Sequence, residues 1–111
     1  MISATDPAPD FTLPRDGGGT VTLSAQRPGK VVLYFYPKDD TPGCALEAQD
    51  FNARLADFTA AGATVIGISK DSVKSHDKFC KKHGLGIVLA SDETGTTCED
   101  YGVWQEKSMY G

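Results

Sequence analysis

A cysteine stands at position 44, directly after Thr41-Pro42-Gly43 and eight residues beyond the apolar run Val31-Val32-Leu33-Tyr34-Phe35-Tyr36. A long helical pattern follows it. This order places a thiol at the mouth of a helix, at the carboxyl end of a strand, where ligands and chemistry collect in open α/β sheets. A helix amino terminus offers unpaired N–H groups and a partial positive charge, and both favour thiolate over thiol. The thiolate is the nucleophile, so Cys44 is placed to react. Taken alone, its position on an apolar stripe also fits a small buried core residue.

The elements that must hold this thiol are readable from periodicity. Phe11-Thr12-Leu13 and Thr20-Val21-Thr22-Leu23 alternate around Asp16-Gly17-Gly18-Gly19, the pattern of a β-hairpin. Pro28-Gly29 turns into a strand near 30–36, whose apolar run predicts burial on both faces. Cys44, Ala48, Phe51, Leu55 and Phe58 then mark one side of a single helix that Gly62 ends. Thr64-Val65-Ile66-Gly67-Ile68 is a second buried strand. Asp71-Ser72 caps a helix from about 73 to 83, stopped by Gly84. Ile87-Val88-Leu89 is a third strand, and residues 94–101 form a short helix. Strands alternating with helices predict an α/β fold with a parallel sheet.

The chain has 111 residues, enough for one domain over 1–111. Its net charge of −4 argues against a nucleic-acid or anionic-membrane surface. No apolar run approaches the roughly 20 residues that span a bilayer, and the amino terminus lacks signal-peptide character. A cytoplasmic location is the expectation, in which any disulfide is transient and catalytic.

The block Pro37-Lys38-Asp39-Asp40-Thr41-Pro42-Gly43-Cys44, with Glu47 three residues on, resembles the reactive loop of peroxiredoxins, in particular the bacterioferritin-comigratory or Q-type branch. The resemblance extends through Ala8-Pro9-Asp10-Phe11-Thr12-Leu13, Tyr34-Phe35-Tyr36-Pro37-Lys38, Gly67-Ile68-Ser69-Lys70-Asp71-Ser72, Ser91-Asp92 and Tyr101-Gly102-Val103-Trp104. It implies a thioredoxin-like fold with an added amino-terminal β-hairpin. It also implies that the family's carboxyl-terminal strand pair and helix, which carry an active-site arginine, lie beyond Met109-Tyr110-Gly111. The chain is expected to be an incomplete view of a longer protein.

The activity so implied is thiol-dependent reduction of hydrogen peroxide and organic hydroperoxides by a monomer, without metal, haem or flavin. Cys44 is the peroxidatic cysteine. Thr41 has a hydroxyl that can accept from the peroxide proton and donate to the sulfur, Pro37 shields the thiolate, and Glu47 orients an arginine; Arg54 lies too far down the helix for that part. Members of the branch place a resolving cysteine either five residues after the first, here Gln49, or in the second helix, and Ser75-His76-Asp77-Lys78-Phe79-Cys80 looks like the second variant. The resemblance therefore implies a Cys44–Cys80 disulfide, recycled by thioredoxin or glutaredoxin. The bland reading of Cys80 is a core cysteine, and Cys98 reads as packing in a short helix.

Other readings are weaker. His76, Cys80 and His83 share a helix face and could ligate a metal, but zinc sites usually draw on two elements. Lys78, Lys81 and Lys82 read as a solvated face, Trp104 as packing, and Gly17-Gly18-Gly19 as a turn. A thiol–disulfide oxidoreductase would want a second cysteine where Glu47 stands. A redox-responsive binding module without turnover is the non-enzymatic alternative.

Overall fold

The computed structural model describes residues 8–26 and 29–102; the expectations for Pro28, Val103, Trp104 and residues 109–111 lie outside these. The hairpin pairs β1 (Thr12–Pro14) with β2 (Thr20–Thr22), antiparallel, with Leu13 opposite Val21. Its turn needs three successive left-handed residues, and Gly17, Gly18 and Gly19 supply them at φ 80°, 93° and 75°.

The main sheet is parallel, in the order β3 (Lys30–Phe35), β4 (Ala63–Ser69) and β5 (Val88–Ser91). Its side chains alternate between two cores, as a pleated strand requires. Val32, Tyr34 and Tyr36, then Val65, then Ile87 and Leu89 face one layer. Val31, Leu33 and Phe35, then Ile66 and Ile68, then Val88 and Ala90 face the other. The first layer is covered by α1 (Pro42–Ala53), α2 (Leu55–Ala60) and α3 (Val73–His83), through Ala48, Phe51, Leu55, Phe58 and Phe79. The second is covered by Phe11, Leu13 and Val21 of the hairpin segment, and by Cys98 and Tyr101 at α4 (Thr97–Asp100).

Two expectations need correction. The helix drawn from Cys44 to Phe58 is two helices, because Arg54 leaves helical geometry at φ −105°, ψ 11° and its N–H reaches back to the Phe51 carbonyl at 3.2 Å. Asn52 anchors the end of α1 just before this break, accepting from Gly86 N–H at 2.6 Å and donating to the Gly84 carbonyl at 3.2 Å. The strand at 30–36 meets a core on each face, as read, but is buried less completely than its apolar run predicts. Among the described residues it pairs with β4 alone, and Val31, Val32, Leu33 and Phe35 are half-buried, while central β4 is buried from Val65 to Ser69.

The second helix matches its reading at both ends. Ser72 Oγ accepts from Ser75 N–H at 3.1 Å, and Gly84 closes the helix at φ 62°. The third strand begins one residue later than read, and the short helix after it is confined to Thr97–Asp100.

Candidate active site

Cys44 lies in the first turn of α1, half-buried against the helix-covered core. Thr41 is the N-cap and Pro42 opens the helix with its φ already set and no N–H to leave unpaired. The first backbone bond into the helix is from Ala45 N–H to the Thr41 carbonyl at 2.8 Å, so the amides of Gly43 and Cys44 precede the ladder. Such a helix start presents donors to an anion or to an oxygen gaining charge. The Thr41 hydroxyl does not cap the helix. It donates to the Lys38 carbonyl at 3.0 Å, closing the loop on itself. Its proton is thus engaged and its lone pairs remain, which corrects the expectation that it also donates to sulfur. Pro37 is exposed at the start of this loop.

Two consecutive aspartates fasten the loop to α3, in different ways. Asp39 turns inward and is buried. Its Oδ1 accepts from the Tyr36 hydroxyl at 2.6 Å, and its Oδ2 accepts from the Ser75 hydroxyl at 2.8 Å and His76 Nδ1 at 2.7 Å. The backbone N–H of Asp39 donates to Asp71 Oδ2 at 2.7 Å. His76 is wholly buried, and its Nε2 lies 3.0 Å from the Ala90 carbonyl. A carbonyl only accepts, and an ionised carboxylate only accepts, so both ring nitrogens must carry hydrogen: His76 is an imidazolium paired with Asp39. Burial opposes the charge on each. The hydrogen bonds from His76, Tyr36 and Ser75 outweigh it for Asp39 and hold its carboxyl below the ordinary value. The hydrogen bond and charge of Asp39, with the Ala90 carbonyl, outweigh it for His76 and raise it. The sequence pattern placed His76 on a metal-compatible face, and missed this pair.

Asp40 turns outward from a left-handed backbone, φ 57°, which aspartate tolerates better than most residues. Its carboxylate takes Lys82 Nζ at 2.7 Å and His83 Nε2 at 3.1 Å, and the Gln49 amide donates to His83 Nδ1 at 2.9 Å. Lys82 is therefore paired across the fold, while Lys78 and Lys81 are exposed as read. All four nitrogens of His76 and His83 are occupied by these partners, away from Cys80.

Cys80 packs partly buried on the same layer as Cys44, and all three cysteines are free thiols. Its thiol is pushed up to about 12, first by burial and then by the charge and hydrogen bond of Asp16. Asp16 is held there by its own backbone. Its N–H donates to the Leu89 carbonyl at 3.0 Å and its Oδ1 accepts from Leu89 N–H at 2.9 Å, while Gly17 N–H donates to Asp77 Oδ1 at 2.7 Å. The hairpin turn thus sits on α3 one turn before Cys80, a neighbour that no local pattern indicated. Cys98 is buried and also pushed up to about 12, by burial and then by Asp92, whose carboxylate caps α4 through Thr97 N–H at 3.1 Å and Cys98 N–H at 2.8 Å. Glu47 and Arg54 line one open groove along α1 and α2 with Gly43, Leu46 and Phe51. No helix among the described residues is long and apolar enough to cross a membrane.

Comparison with known proteins agrees with this arrangement. The family model described as AhpC/TSA family matches residues 4–111. Peroxiredoxin Bcp of Xanthomonas campestris pv. campestris is 50% identical over 107 residues, 95% of this chain and 67% of that protein. A putative peroxiredoxin bcp of Coxiella burnetii is 48% identical over 110 residues, 99% of this chain and 73% of that one. A solved structure of the X. campestris bacterioferritin comigratory protein, described for its alkyl peroxide reduction activity, aligns with TM-score 0.84 at 48% identity, across 91% of this chain and 64% of the other. The chain thus spans about two thirds of the length of these relatives. With the thioredoxin-like layers, the Thr41-Pro42-Gly43-Cys44 helix start and these matches together, the chain belongs to the AhpC/TSA family, on its Bcp or Q-type peroxiredoxin branch.

Proposed function

We propose that this chain is a thiol peroxidase for hydrogen peroxide and alkyl hydroperoxides, with Cys44 as the nucleophile. The observation that carries the reading is the position of Cys44 in the first turn of α1, behind Thr41 and Pro42 and beside amides without ladder partners. The Cys44 thiolate attacks the terminal oxygen of R–O–O–H and the O–O bond breaks. Sulfur is oxidised to sulfenic acid, and RO⁻ leaves and takes a proton from water. The free amides of the helix start stabilise charge developing on the oxygens. Thr41, whose hydroxyl already donates to the Lys38 carbonyl, accepts the hydrogen bond of the peroxide O–H. Pro37, at the loop's start, limits water around the sulfur.

Cys80 then condenses with the sulfenic acid, forming a Cys44–Cys80 disulfide and releasing water. A thiol pushed up to about 12, by burial and then by Asp16, is a poor nucleophile in the closed fold, so Cys80 must leave its buried place before it reacts. Two packed helices stand about 8–10 Å apart, more than a disulfide spans, so the first turn of α1 and the last turn of α3 open first. A dithiol protein, thioredoxin or glutaredoxin, restores both thiols by exchange. The working form is a cytoplasmic monomer, one domain across the chain, using no metal, haem or flavin. Peroxide consumption by the chain with thioredoxin and its reductase tests the activity, and peptide mapping after one equivalent of peroxide tests the pairing. No consumption, or a Cys44–Cys98 bridge, refutes the respective part.

A further inference from the structure

The segment that carries Cys44 and the turn that carries Cys80 are tied by side chains outside the core. Lys82 Nζ and His83 Nε2 meet Asp40 at 2.7 and 3.1 Å, Gln49 meets His83 at 2.9 Å, and Asn52 holds Gly84 and Gly86 at 3.2 and 2.6 Å. Every one of these ties runs from residues 40–52 to residues 82–86. The Lys82 and His83 contacts converge on the one residue before the N-cap, and it has the only left-handed backbone among the described residues other than glycine.

We propose that Asp40 is a positioning residue: a latch that couples opening of the first turn of α1 to opening of the last turn of α3, and so sets how long Cys44 stays as sulfenic acid before Cys80 reaches it. While the latch is closed, its two contacts offset the unfavourable backbone of Asp40 and keep the Cys80 turn docked. When residues 41–44 unwind, the chain on the carboxyl side of Asp40 is released. Asp40 can then relax to an ordinary φ, its carboxylate swings away, and Lys82 and His83 lose their partner together. Hydrogen bonds from Lys82 and His83 hold the Asp40 carboxyl below its ordinary value and keep it an anion at working pH. The latch is exposed, with 43% of the Asp40 side chain and 61% of the Lys82 side chain accessible, so salt weakens it. The buried Asp39–His76 pair stays closed beneath it and retains the amino-terminal half of α3. This proposal rests on Cys80 being the resolving cysteine.

The test measures the two steps separately in the full chain, by rapid quench and mass spectrometry. Asp40→Asn retains the left-handed preference and loses the charge, and Lys82→Met removes the partner. Each should leave sulfenic acid formation within about twofold and speed disulfide formation about two- to fivefold at low salt, the range of exposed ion pairs. The double variant should match the single ones, and 1 M NaCl should accelerate the wild type but not Asp40→Asn. Sulfinic acid at Cys44 should then require correspondingly more peroxide. Unchanged or slower disulfide formation in both variants overturns the latch. If the wild type forms no Cys44–Cys80 bond, the resolving role fails instead. The latch is then decided by amide exchange at 80–86, which should quicken in Lys82→Met; unchanged exchange overturns it.

Discussion

Replacing His76 by leucine should reveal how much of the fold rests on one buried charge. The imidazolium is inaccessible and its Asp39 partner nearly so. The change therefore strands a carboxylate that retains only the Tyr36 and Ser75 hydroxyls. Removing one partner of a buried pair costs about 3–5 kcal/mol, a large share of the about 5–15 kcal/mol that holds a domain together. The pH dependence identifies the cause. His76 is raised above its ordinary 6.5, so its contribution is complete below 6.5 and is lost as pH climbs through the folded value. Asp39 is held below its ordinary 3.8, so its contribution is complete above 3.8 and is lost as pH falls through the folded value. The wild-type advantage over His76→Leu should thus be greatest between about pH 4 and 6.5, shrinking above that by up to about 1.4 kcal/mol per unit. Urea unfolding followed by circular dichroism from pH 5 to 9 measures this, and adding Asp39→Asn to His76→Leu should recover part of the loss. Nitrogen-15 spectra of the wild type should show both His76 ring nitrogens protonated at pH 6. A penalty below about 1 kcal/mol, one that does not vary with pH, or a singly protonated ring would refute the ion pair.

Cys44→Ser should abolish peroxide turnover while preserving the circular dichroism spectrum, since a hydroxyl is similar in size but a poor nucleophile; normal turnover would remove the assignment. Thr41→Val loses both the bond to the Lys38 carbonyl and the acceptor for peroxide, so the second-order rate constant should fall at least about tenfold. Gly67→Ala puts a methyl 2.7 Å from Tyr34 Cζ, in a ring stacked on Phe51 at 4.5 Å, and should cost about 1–3 kcal/mol in thermal or urea unfolding. Asp16→Asn should lower the Cys80 thiol from its value near 12 without restoring it, because burial is the larger cause, and should speed its alkylation at pH 9; an unchanged rate would place Asp16 outside the contact.

What could be read ahead of the structure was what local chemistry determines. Val73–His83 was legible because Ser72 and Gly84 punctuate it, and the Cys44 helix start because Pro42 and Gly43 shape it. The break at Arg54 was not, since the apolar spacing runs through it and Asn52 is anchored by residues beyond α3. Asp39 and Asp40 look alike in the chain. One is a buried ligand of a histidine 37 positions away and the other an exposed clasp, and a single left-handed φ separates their directions. That Cys80 shares a layer with Cys44 was not legible, and the carboxylate beside it comes from a hairpin turn that only the tertiary fold brings near.

Burial, and after it a neighbouring carboxylate, also holds the Cys80 and Cys98 thiols in their protonated form. A thiol pushed up to about 12 stays almost wholly protonated at neutral pH, so neither attacks an oxidant readily while buried. At Cys98 the carboxylate is Asp92, which also caps α4 within the core. At Cys80 the carboxylate is Asp16, brought in by the hairpin turn. Under the proposed mechanism, the fold thus discriminates among three identical functional groups first by where it buries them and then by the acid it sets beside each.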